Sequence, residues 1–271
     1  MRYPAVAGRF YPIDRNELSK IIGSCFTHEL GPGLPGESSG ERSICAAVSP
    51  HAGYAASGMN AAHTYKRIAE DGLPEAYIIV GPDHYGVPYN SVMCSEEYLT
   101  PLGPCKIHSE IAGKLRQLIP DDSNAHRFEH SIEVQVPFLQ YIDPDPQIIP
   151  IIMGRQDKEA SRSLAESIRK ASEGHDVVVI ASSDMAHYVP KAVGEKMNTA
   201  VLERLREKDV DGMYSVIMKE KISVCGYGPM AVALQSTDPS KVEILKYSDS
   251  WDSLGYDMNS VVGYGSAVMY K

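Results

Sequence analysis

The 271-residue sequence has the length of one large α/β domain or two small ones, and 43% of its residues are hydrophobic. Its formal net charge of -9 opposes binding to a phosphate backbone. Its longest apolar runs have strand length and fall far short of the roughly 20 residues that a membrane helix needs. We therefore expect neither a nucleic acid partner nor a membrane-spanning protein.

The cysteines and the N-terminus indicate a reducing compartment. Five cysteines are an odd number and no two form a C-x-x-C pair, which argues against a disulfide framework and against a structural zinc knuckle. Arg2 and Pro4 stand where a signal peptide would have its apolar core. The sequence therefore predicts a cytoplasmic protein with reduced thiols.

The chain begins with a predicted helix that Asp14 caps, with Glu17 three residues later. A loop rich in Gly, Pro and Ser follows at residues 28–40. The segment before this loop is too short for a domain of its own. We therefore predict a single domain over residues 1–271, with the first helix packed on its outside.

After the loop, short β-rich apolar runs alternate with longer amphipathic segments, which predicts an α/β fold with helices covering a largely parallel sheet. The predicted strands are 44–49, 76–81, 147–153 and 177–182, with a closing strand pair at 242–247 and 261–270. The predicted helices are 57–70, 108–118, 130–141, 158–171, 191–207 and 228–235.

Three of these strands end just before a histidine: His51, His84 and His187. Ligands of open α/β sheets bind in the crevice outside the carboxyl ends of the strands, so these side chains are expected to meet at one edge. Two neutral imidazoles with one anionic ligand can hold Fe(II), Cu or Zn and leave positions open for substrate. The sequence therefore predicts a metal site at this edge.

Cys225 is the candidate for the anionic ligand. It stands just before a predicted helix, whose dipole would stabilise a thiolate. The alternative is that Cys225 is a small buried apolar residue, as most cytosolic cysteines are. That interpretation is assigned to the other four cysteines, none of which stands beside a histidine-bearing turn.

Candidate acid and base residues lie near the same motifs. Asp184 and His187 are three residues apart, close enough for the carboxylate to orient the imidazole. His130 is a third candidate, flanked by Glu129 and by Glu133. Complementarity to a helix dipole is as good an interpretation of Glu129 as a role in the site, and a solvated helix face is as good an interpretation of Glu133.

Five ordered motifs resemble those of the Memo family (mediator of cell motility), in the AmmeMemoRadiSam group. They are PHAGY at 50–54, GPDH at 81–84, EHSIE at 129–133, SDMAHY at 183–188 and CGYGP at 225–229. The resemblance extends from the opening RYPAVAGRFYP at 2–12 to the C-terminal strand. It implies a three-layer αβα sandwich with a mixed, largely parallel sheet, similar to the catalytic subunit of class III extradiol dioxygenases, which use non-haem Fe(II).

The resemblance also implies roles for particular residues. His51, His84 and Cys225 match the family's metal-binding residues, and Asp184 and His187 match its remaining polar pocket residues. His187 also falls where the dioxygenases have a catalytic histidine. Those enzymes use Glu as the third ligand, and a thiolate in its place favours Cu(I) or Zn.

Three functions are compatible with these motifs. The first is a redox protein that depends on iron or copper, in which Asp184 orients a ligand and His187 carries protons. The second is a hydrolase with Cys225 as nucleophile, His187 as base and Asp184 as orienter. The third is a non-catalytic module that binds a peptide or a modified nucleotide fragment as the partner of a radical SAM enzyme.

The sequence leaves open whether the protein is an enzyme, which small-molecule or peptide ligand it binds and whether it forms a homo-oligomer. Four tyrosines stand beside the motifs, at Tyr54, Tyr85, Tyr188 and Tyr227. They could line a pocket for an aromatic ligand, or fill core edges with their hydroxyls in water.

Overall fold

The centre of the molecule is a sheet built from strands that are buried on both faces. The computed structural model describes residues 1–271. Its strands are β1 (Ile44–Ser49), β2 (Ala76–Pro82), β3 (Ser91–Met93), β4 (Tyr98–Thr100), β5 (Gly103–Ile107), β6 (Gln147–Met153), β7 (Val177–Ser182), β8 (Asp184–Val189), β9 (Lys241–Asp249) and β10 (Val261–Tyr270). All six residues of β1 and all seven of β2 are buried, as expected for central strands covered on both faces.

The helices connect these strands and cover them. They are α1 (Arg15–Thr27), α2 (Tyr54–Asp71), α3 (Ser109–Leu115), α4 (Ser123–His126), α5 (Val136–Ile142), α6 (Lys158–Ala171), α7 (Lys191–Arg206), α8 (Val210–Glu220), α9 (Tyr227–Thr237) and α10 (Ser250–Leu254). A short 3-10 helix, Glu133–Gln135, precedes α5. None of the helices combines the length and the apolar character that crossing a membrane requires.

The strand order confirms a mixed, largely parallel sheet. It reads β4-β5-β6-β2-β7-β1-β10-β8, with β3 paired to β6 and β9 paired to β10. The five strands from β5 to β1 in this order run parallel to one another. The antiparallel pairs involve β3, β4 and the C-terminal strands.

Residue alternation along the central strands creates two hydrophobic cores. In β2, Ile78 and Val80 contribute to one cluster, whereas Tyr77 and Ile79 contribute to the other. Side chains of α1, α2 and α5 complete the cluster around Tyr77, and those of α3, α6, α7, α8 and α9 complete the cluster around Ile78. Helices therefore cover both faces of the sheet, which confirms the three-layer αβα arrangement.

Several predicted elements need correction. The short strands β3, β4, β5 and β8 and the helices α4, α8 and α10 were not predicted. The helix predicted over residues 130–141 begins only at the 3-10 turn, because the segment before it is tied to neighbouring loops by buried polar contacts. Asp14 caps α1 as predicted, accepting hydrogen bonds from the backbone N–H groups of Asn16 and Glu17.

Candidate functional site

The carboxyl ends of β1, β2 and β7 lie side by side and support the predicted site. Ser49 at the end of β1 pairs with Ser182 at the end of β7. The N–H of Ser183 then donates to the carbonyl of Ser49 at 3.0 Å, so the chain crosses over the end of β1 as it enters β8. This crossing brings Asp184 next to the turn that carries His51.

The structure brings the three predicted metal ligands together. One ligand atom each of His51, His84 and Cys225 lies within 4.8 Å of the other two. Cys225 Sγ is 3.2 Å from His51 Nε2, and the rings of His51 and His84 meet edge to face with centroids 5.3 Å apart. Residues separated by up to 174 positions in sequence thus share one small volume.

The hydrogen bonds of Ser182 fix the proton position on His51. The Ser182 hydroxyl donates its only hydrogen to the Ser131 carbonyl at 2.6 Å and accepts from Gln135 Nε2 at 2.8 Å. It can therefore only accept from His51 Nδ1, which lies 2.9 Å away. The lone pair of His51 is left on Nε2, the atom that faces Cys225.

Glu129 fixes His84 in the same way. Glu129 Oε1 is 2.9 Å from His84 Nδ1, and Oε2 accepts from the His84 backbone N–H at 2.8 Å. Burial raises the pKa of Glu129, but its hydrogen bonds and the neighbouring imidazole charges outweigh burial and lower the pKa to about 2. An ionised Glu129 accepts from Nδ1, so Nε2 carries the lone pair when His84 is neutral.

A carboxylate behind an imidazole is the usual way in which proteins orient a metal-binding histidine. Sequence reasoning left the role of Glu129 open between a dipole effect and a site function. The buried side chain and its contacts with His84 give it the site function. The motif gave one signal, because Glu129 directly precedes another candidate residue.

Burial keeps two of the site's imidazoles neutral. Burial, helped by the charge of His84, lowers the pKa of His51 to about 3. Burial and then the charge of His51 lower the pKa of His130 to about 4. For His84 burial acts in the same direction, but the hydrogen bond and charge of Glu129 prevail and raise its pKa. Among these imidazoles, a metal would have to compete with a proton only at His84.

Neither ring nitrogen of His130 makes a strong hydrogen bond. Its ring lies 4.5 Å from that of His84 and 5.6 Å from that of His51, centroid to centroid. The edge of Phe10 packs against it at 5.0 Å. Its Nδ1 comes only within 3.5 Å of Glu129 Oε1, too long for a strong hydrogen bond. A ligand bound beside the two predicted imidazole ligands would find this ring available.

The surroundings of Cys225 differ from the sequence expectation. Its sulfur accepts from the backbone N–H of Asp184 at 3.0 Å, but burial, followed by the charge of Asp184, raises the pKa of the thiol well above its usual value. Cys225 does lie just before α9, as expected, but burial outweighs any stabilisation of the thiolate by the helix dipole. Gly226 separates Cys225 from α9, and a Cβ there would lie 2.4 Å from the Ser182 carbonyl oxygen, so glycine permits this close approach.

Asp184 and His187 do not form the predicted pair. The Asp184 carboxylate accepts from the backbone N–H of His51 at 2.8 Å, and burial raises its pKa. His187 instead places Nδ1 2.8 Å from the Ser223 carbonyl, which can only accept. Ser223 therefore orients His187 and leaves its Nε2 without the hydrogen, whereas Asp184 holds the turn that carries His51.

These contacts do not assemble the hydrolase triad. The imidazole that contacts the Cys225 sulfur belongs to His51, while His187 is bound to Ser223 and Asp184 to a backbone N–H. The raised pKa of the thiol also disfavours the thiolate that a nucleophile needs.

Glu133 lies away from the site and is not solvated. It is fully buried, pairs with Arg2 and accepts from the backbone N–H groups of Ala5 and Val6 at 2.7 and 3.0 Å. The solvated helix face is therefore wrong for Glu133, whose buried partner Arg2 is 131 residues away in the chain. Glu133 fixes the N-terminal segment that carries Phe10.

The four tyrosines beside the motifs have different surroundings. Tyr54 is buried and donates to the Val134 carbonyl at 2.7 Å, so it belongs to the core. Tyr85 and Tyr188 are exposed. Tyr227 packs edge to face against Tyr214. Tyr85 and Tyr188 are therefore free to meet a ligand from solvent, and Tyr227 is partly exposed.

Comparisons with known proteins identify the family of the chain. A family model described as Memo-like protein matches residues 2–268. A MEMO1 family protein of Methanopyrus kandleri is 44% identical over 281 residues, covering 100% of this chain and 99% of the relative. One from Ignicoccus hospitalis is 40% identical, covering 98% and 97%.

One solved structure has a fold similar to that of this chain. The crystal structure of an uncharacterized protein from Escherichia coli K12 matches with a TM-score of 0.55 and 16% identity, covering 83% of this chain and 99% of that one. At this identity the match supports the same fold and nothing further.

Proposed function

The chain belongs to the family of Memo-like proteins, and on that premise we propose that it is a metal-dependent redox protein whose ligands are His51, His84 and Cys225. The metal would be Fe(II) or Cu, with Zn as the alternative. One observation supports this most: two imidazoles have their Nε2 lone pairs fixed beside one sulfur. That arrangement needs several buried hydrogen bonds and serves no evident packing purpose.

The chemistry of the donor set fits a transition metal. Imidazole suits Fe, Cu and Zn, and thiolate is the softer ligand that binds Cu(I) and Zn well. The raised pKa of the Cys225 thiol does not oppose this proposal, because a bound cation deprotonates a coordinating thiol. Metal binding would release the thiol proton and any proton held by His84.

When bound, the metal would supply a Lewis-acid and redox centre for a small-molecule or peptide ligand. The chain's own residues have separable tasks around it. Ser182 and Glu129 hold the two imidazoles, and Asp184 holds the backbone of His51. His130 and His187 each have a ring nitrogen without a hydrogen, where a proton from a ligand could be held.

The test of this proposal is the metal content of protein purified without oxygen. The triple variant His51→Ala, His84→Ala, Cys225→Ala is compared with the wild type by elemental analysis. A matched control replaces His28, His63 and Cys45 with Ala. We expect the wild type and the control to carry one more metal equivalent per chain than the triple variant. Equal metal content in all three proteins would contradict the proposal.

The redox assignment needs its own measurement. Protein loaded anaerobically with Fe(II) or Cu is exposed to a chemical oxidant and then to a reductant, while its absorption is followed. A redox-active centre changes its spectrum reversibly, whereas zinc-loaded protein does not change. Absence of any reversible change with both metals would leave metal binding intact but reject the redox role.

A further inference from the structure

A second group of metal-ligating side chains lies at the opposite edge of the sheet. One ligand atom each of Glu75, His108 and His175 lies within 4.8 Å of the other two. Glu75 immediately precedes β2, His175 comes just before β7, and His108 follows β5. We propose that these three residues bind a divalent cation, with Zn²⁺ as the best match to their donor atoms.

The donor atoms are almost correctly spaced for zinc. Glu75 Oε1 is 3.0 Å from His108 Nε2 and 2.8 Å from His175 Nδ1. Zinc bonds of about 2.0–2.2 Å in a tetrahedron would place neighbouring ligand atoms about 3.3–3.5 Å apart. The Glu75 contacts therefore need to open by only a few tenths of an ångström, which a side-chain rotation can supply.

Glu110 supports His175 from behind. Its Oε1 is 3.2 Å from His175 Nε2, on the far side of the ring from Glu75. The Lys114 ammonium can only donate to His175 Nε2, so in the metal-free protein Nδ1 carries the ring hydrogen and donates to Glu75. A cation on Nδ1 would move that hydrogen to Nε2, where Glu110 can accept it. Lys114 Nζ lies 3.3 Å from the same nitrogen and 2.9 Å from Glu110, so its positive charge weakens this support.

At His108 the cation would also displace a contact with the backbone. His108 Nδ1 now accepts from the backbone N–H of Ile111 at 3.3 Å. A metal on Nε2 moves the ring hydrogen to Nδ1 and removes this acceptor. At 3.3 Å the lost bond is a weak one. The backbone N–H of Ile111 therefore reports directly on the protonation of His108.

The surroundings suit an ion that keeps water in its remaining positions. The side chains of His108 and His175 are only 10% and 9% exposed, which holds the rings in place. Glu75 is 43% exposed, so solvent can reach the cluster. The cation would join the starts of β2, β7 and α3, three elements that the chain connects only through long segments.

A zinc titration tests the proposal in protein that lacks the other site. The background variant carries His51→Ala and Cys225→Ser, so failure here is separate from failure of the proposed function. Zn²⁺ is titrated against a chromophoric chelator in this background and in variants that add Glu75→Gln or His175→Gln. The matched control Glu173→Gln removes an exposed carboxylate close in sequence but outside the cluster.

We expect the background and the Glu173→Gln control to bind one Zn²⁺, and Glu75→Gln and His175→Gln to bind it about tenfold or more weakly. Lys114→Gln should bind it a few-fold more tightly, because a nearby positive charge is gone. Zinc should also shift the amide NMR resonance of Ile111 in the background but not after Glu75→Gln.

Two results would overturn the proposal: no zinc bound at about 100 µM free Zn²⁺, or unchanged binding after Glu75→Gln. Should His175→Gln fail to fold, Glu75→Gln decides alone, since it retains the shape of a partly exposed side chain. A cluster held only by hydrogen bonds would give the first of these results.

Discussion

The two ends of strands β2 and β7 carry histidine clusters that differ in how their protons are arranged. At the carboxyl edge, His51 and His84 direct their Nδ1 atoms backward to Ser182 and Glu129, so their Nε2 atoms face the site without hydrogens. At the amino edge, His108 and His175 both direct a nitrogen at the same oxygen of Glu75. Lone pairs therefore face the site at the carboxyl edge, as the proposed cation requires, whereas at the amino edge ring hydrogens face Glu75 and a cation must displace them.

The difference shows that the residues that hydrogen-bond to the imidazoles decide which ring nitrogen is available to a metal ion. Ser182 and Glu129 are wholly buried and bound to other groups of the fold, so they cannot turn away. Glu75 and Glu110 are exposed by comparison and have fewer groups of the fold to hold them. We therefore expect the carboxyl edge to bind a metal ion more tightly than the amino edge and to exchange it more slowly.

The largest expected effect is a difference in folding stability between a substitution near the carboxyl edge and one at the amino edge. Arg2→Ala leaves Glu133 buried without its counter-charge and should destabilise the protein by about 3–5 kcal/mol. Glu75→Gln breaks only contacts at a partly exposed carboxylate and should cost about 1 kcal/mol or less. Urea unfolding of both variants, without metal, measures the difference. Equal decreases in the free energy of unfolding for the two variants would contradict the anchoring of the N-terminal segment by the buried Arg2–Glu133 pair.

A second prediction concerns the carboxylate behind His84. Glu129→Gln keeps the size of the side chain but removes the charge that orients the ring, and should weaken metal binding by about 10- to 100-fold. Competition with a chelator measures this affinity. The same substitution at Glu133, which is equally buried but does not contact a ligand, is the control for general destabilisation. An identical affinity loss in both variants would contradict an orienting role of Glu129.

These two glutamates also show what sequence can and cannot predict. The strand-end rule suffices to predict that His51 and His84 meet, because parallel strands align their carboxyl ends. Cys225 follows no strand and is predicted from its place before a helix and from the family resemblance. The four central strands were likewise predicted from their uninterrupted β-rich runs. The partners of Glu129 and Glu133 were not predictable, since His84 and Arg2 are distant in sequence and reach them only in the folded chain.

The missed elements have a common physical cause. β8 contains Asp184, His187 and exposed Tyr188, so it lacks the apolar alternation by which strands are recognised. It is a strand because it pairs with β10, a contact that forms only in the folded chain. The predicted Asp184–His187 pair failed for the same reason. In a strand, residues three apart point to opposite faces, whereas the prediction treated the segment as a turn.

The third prediction is an acid sensitivity of the metal-free protein. His51 and His130 have pKa values lowered by burial to about 3 and about 4. Above pH 6.5, roughly the pKa of an imidazole in the unfolded chain, neither the folded nor the unfolded protein binds a proton at these rings. Between that pH and the lowered pKa values only the unfolded protein binds one, so the free energy of unfolding falls as the pH drops. Between pH 7.5 and 5.5 each should contribute a loss of about 1 kcal/mol. His84, whose pKa is raised, opposes part of this loss.

Urea unfolding at the two pH values measures this loss, and His130→Asn should recover part of it because the buried ionisable ring is gone. Glu129 does not interfere in this window, since its lowered pKa reduces stability only below its unfolded value of about 4.5. Stability that is equal at both pH values would contradict the neutral state of the buried rings.

The smallest effect is expected at Ser182. Ser182→Ala removes the acceptor of His51 Nδ1 but leaves the ring buried and the Asp184 contact intact. Metal affinity should fall by about tenfold, the lower end of the range for residues that orient a ligand. Ser161→Ala, an equally buried serine that contacts Tyr214, is the matched control. A larger loss than that of Glu129→Gln would reverse the proposed order of the two supports.

The most direct test of the carboxyl-edge site is the zinc X-ray absorption spectrum of protein carrying one Zn²⁺. The tighter site should take up this ion, giving one sulfur neighbour at about 2.3 Å and imidazole nitrogens at about 2.0–2.1 Å. In Cys225→Ser the sulfur contribution should vanish, while Cys45→Ser, which alters a buried cysteine elsewhere, should retain it. A wild-type spectrum with only nitrogen and oxygen neighbours would contradict a metal site built on His51, His84 and Cys225.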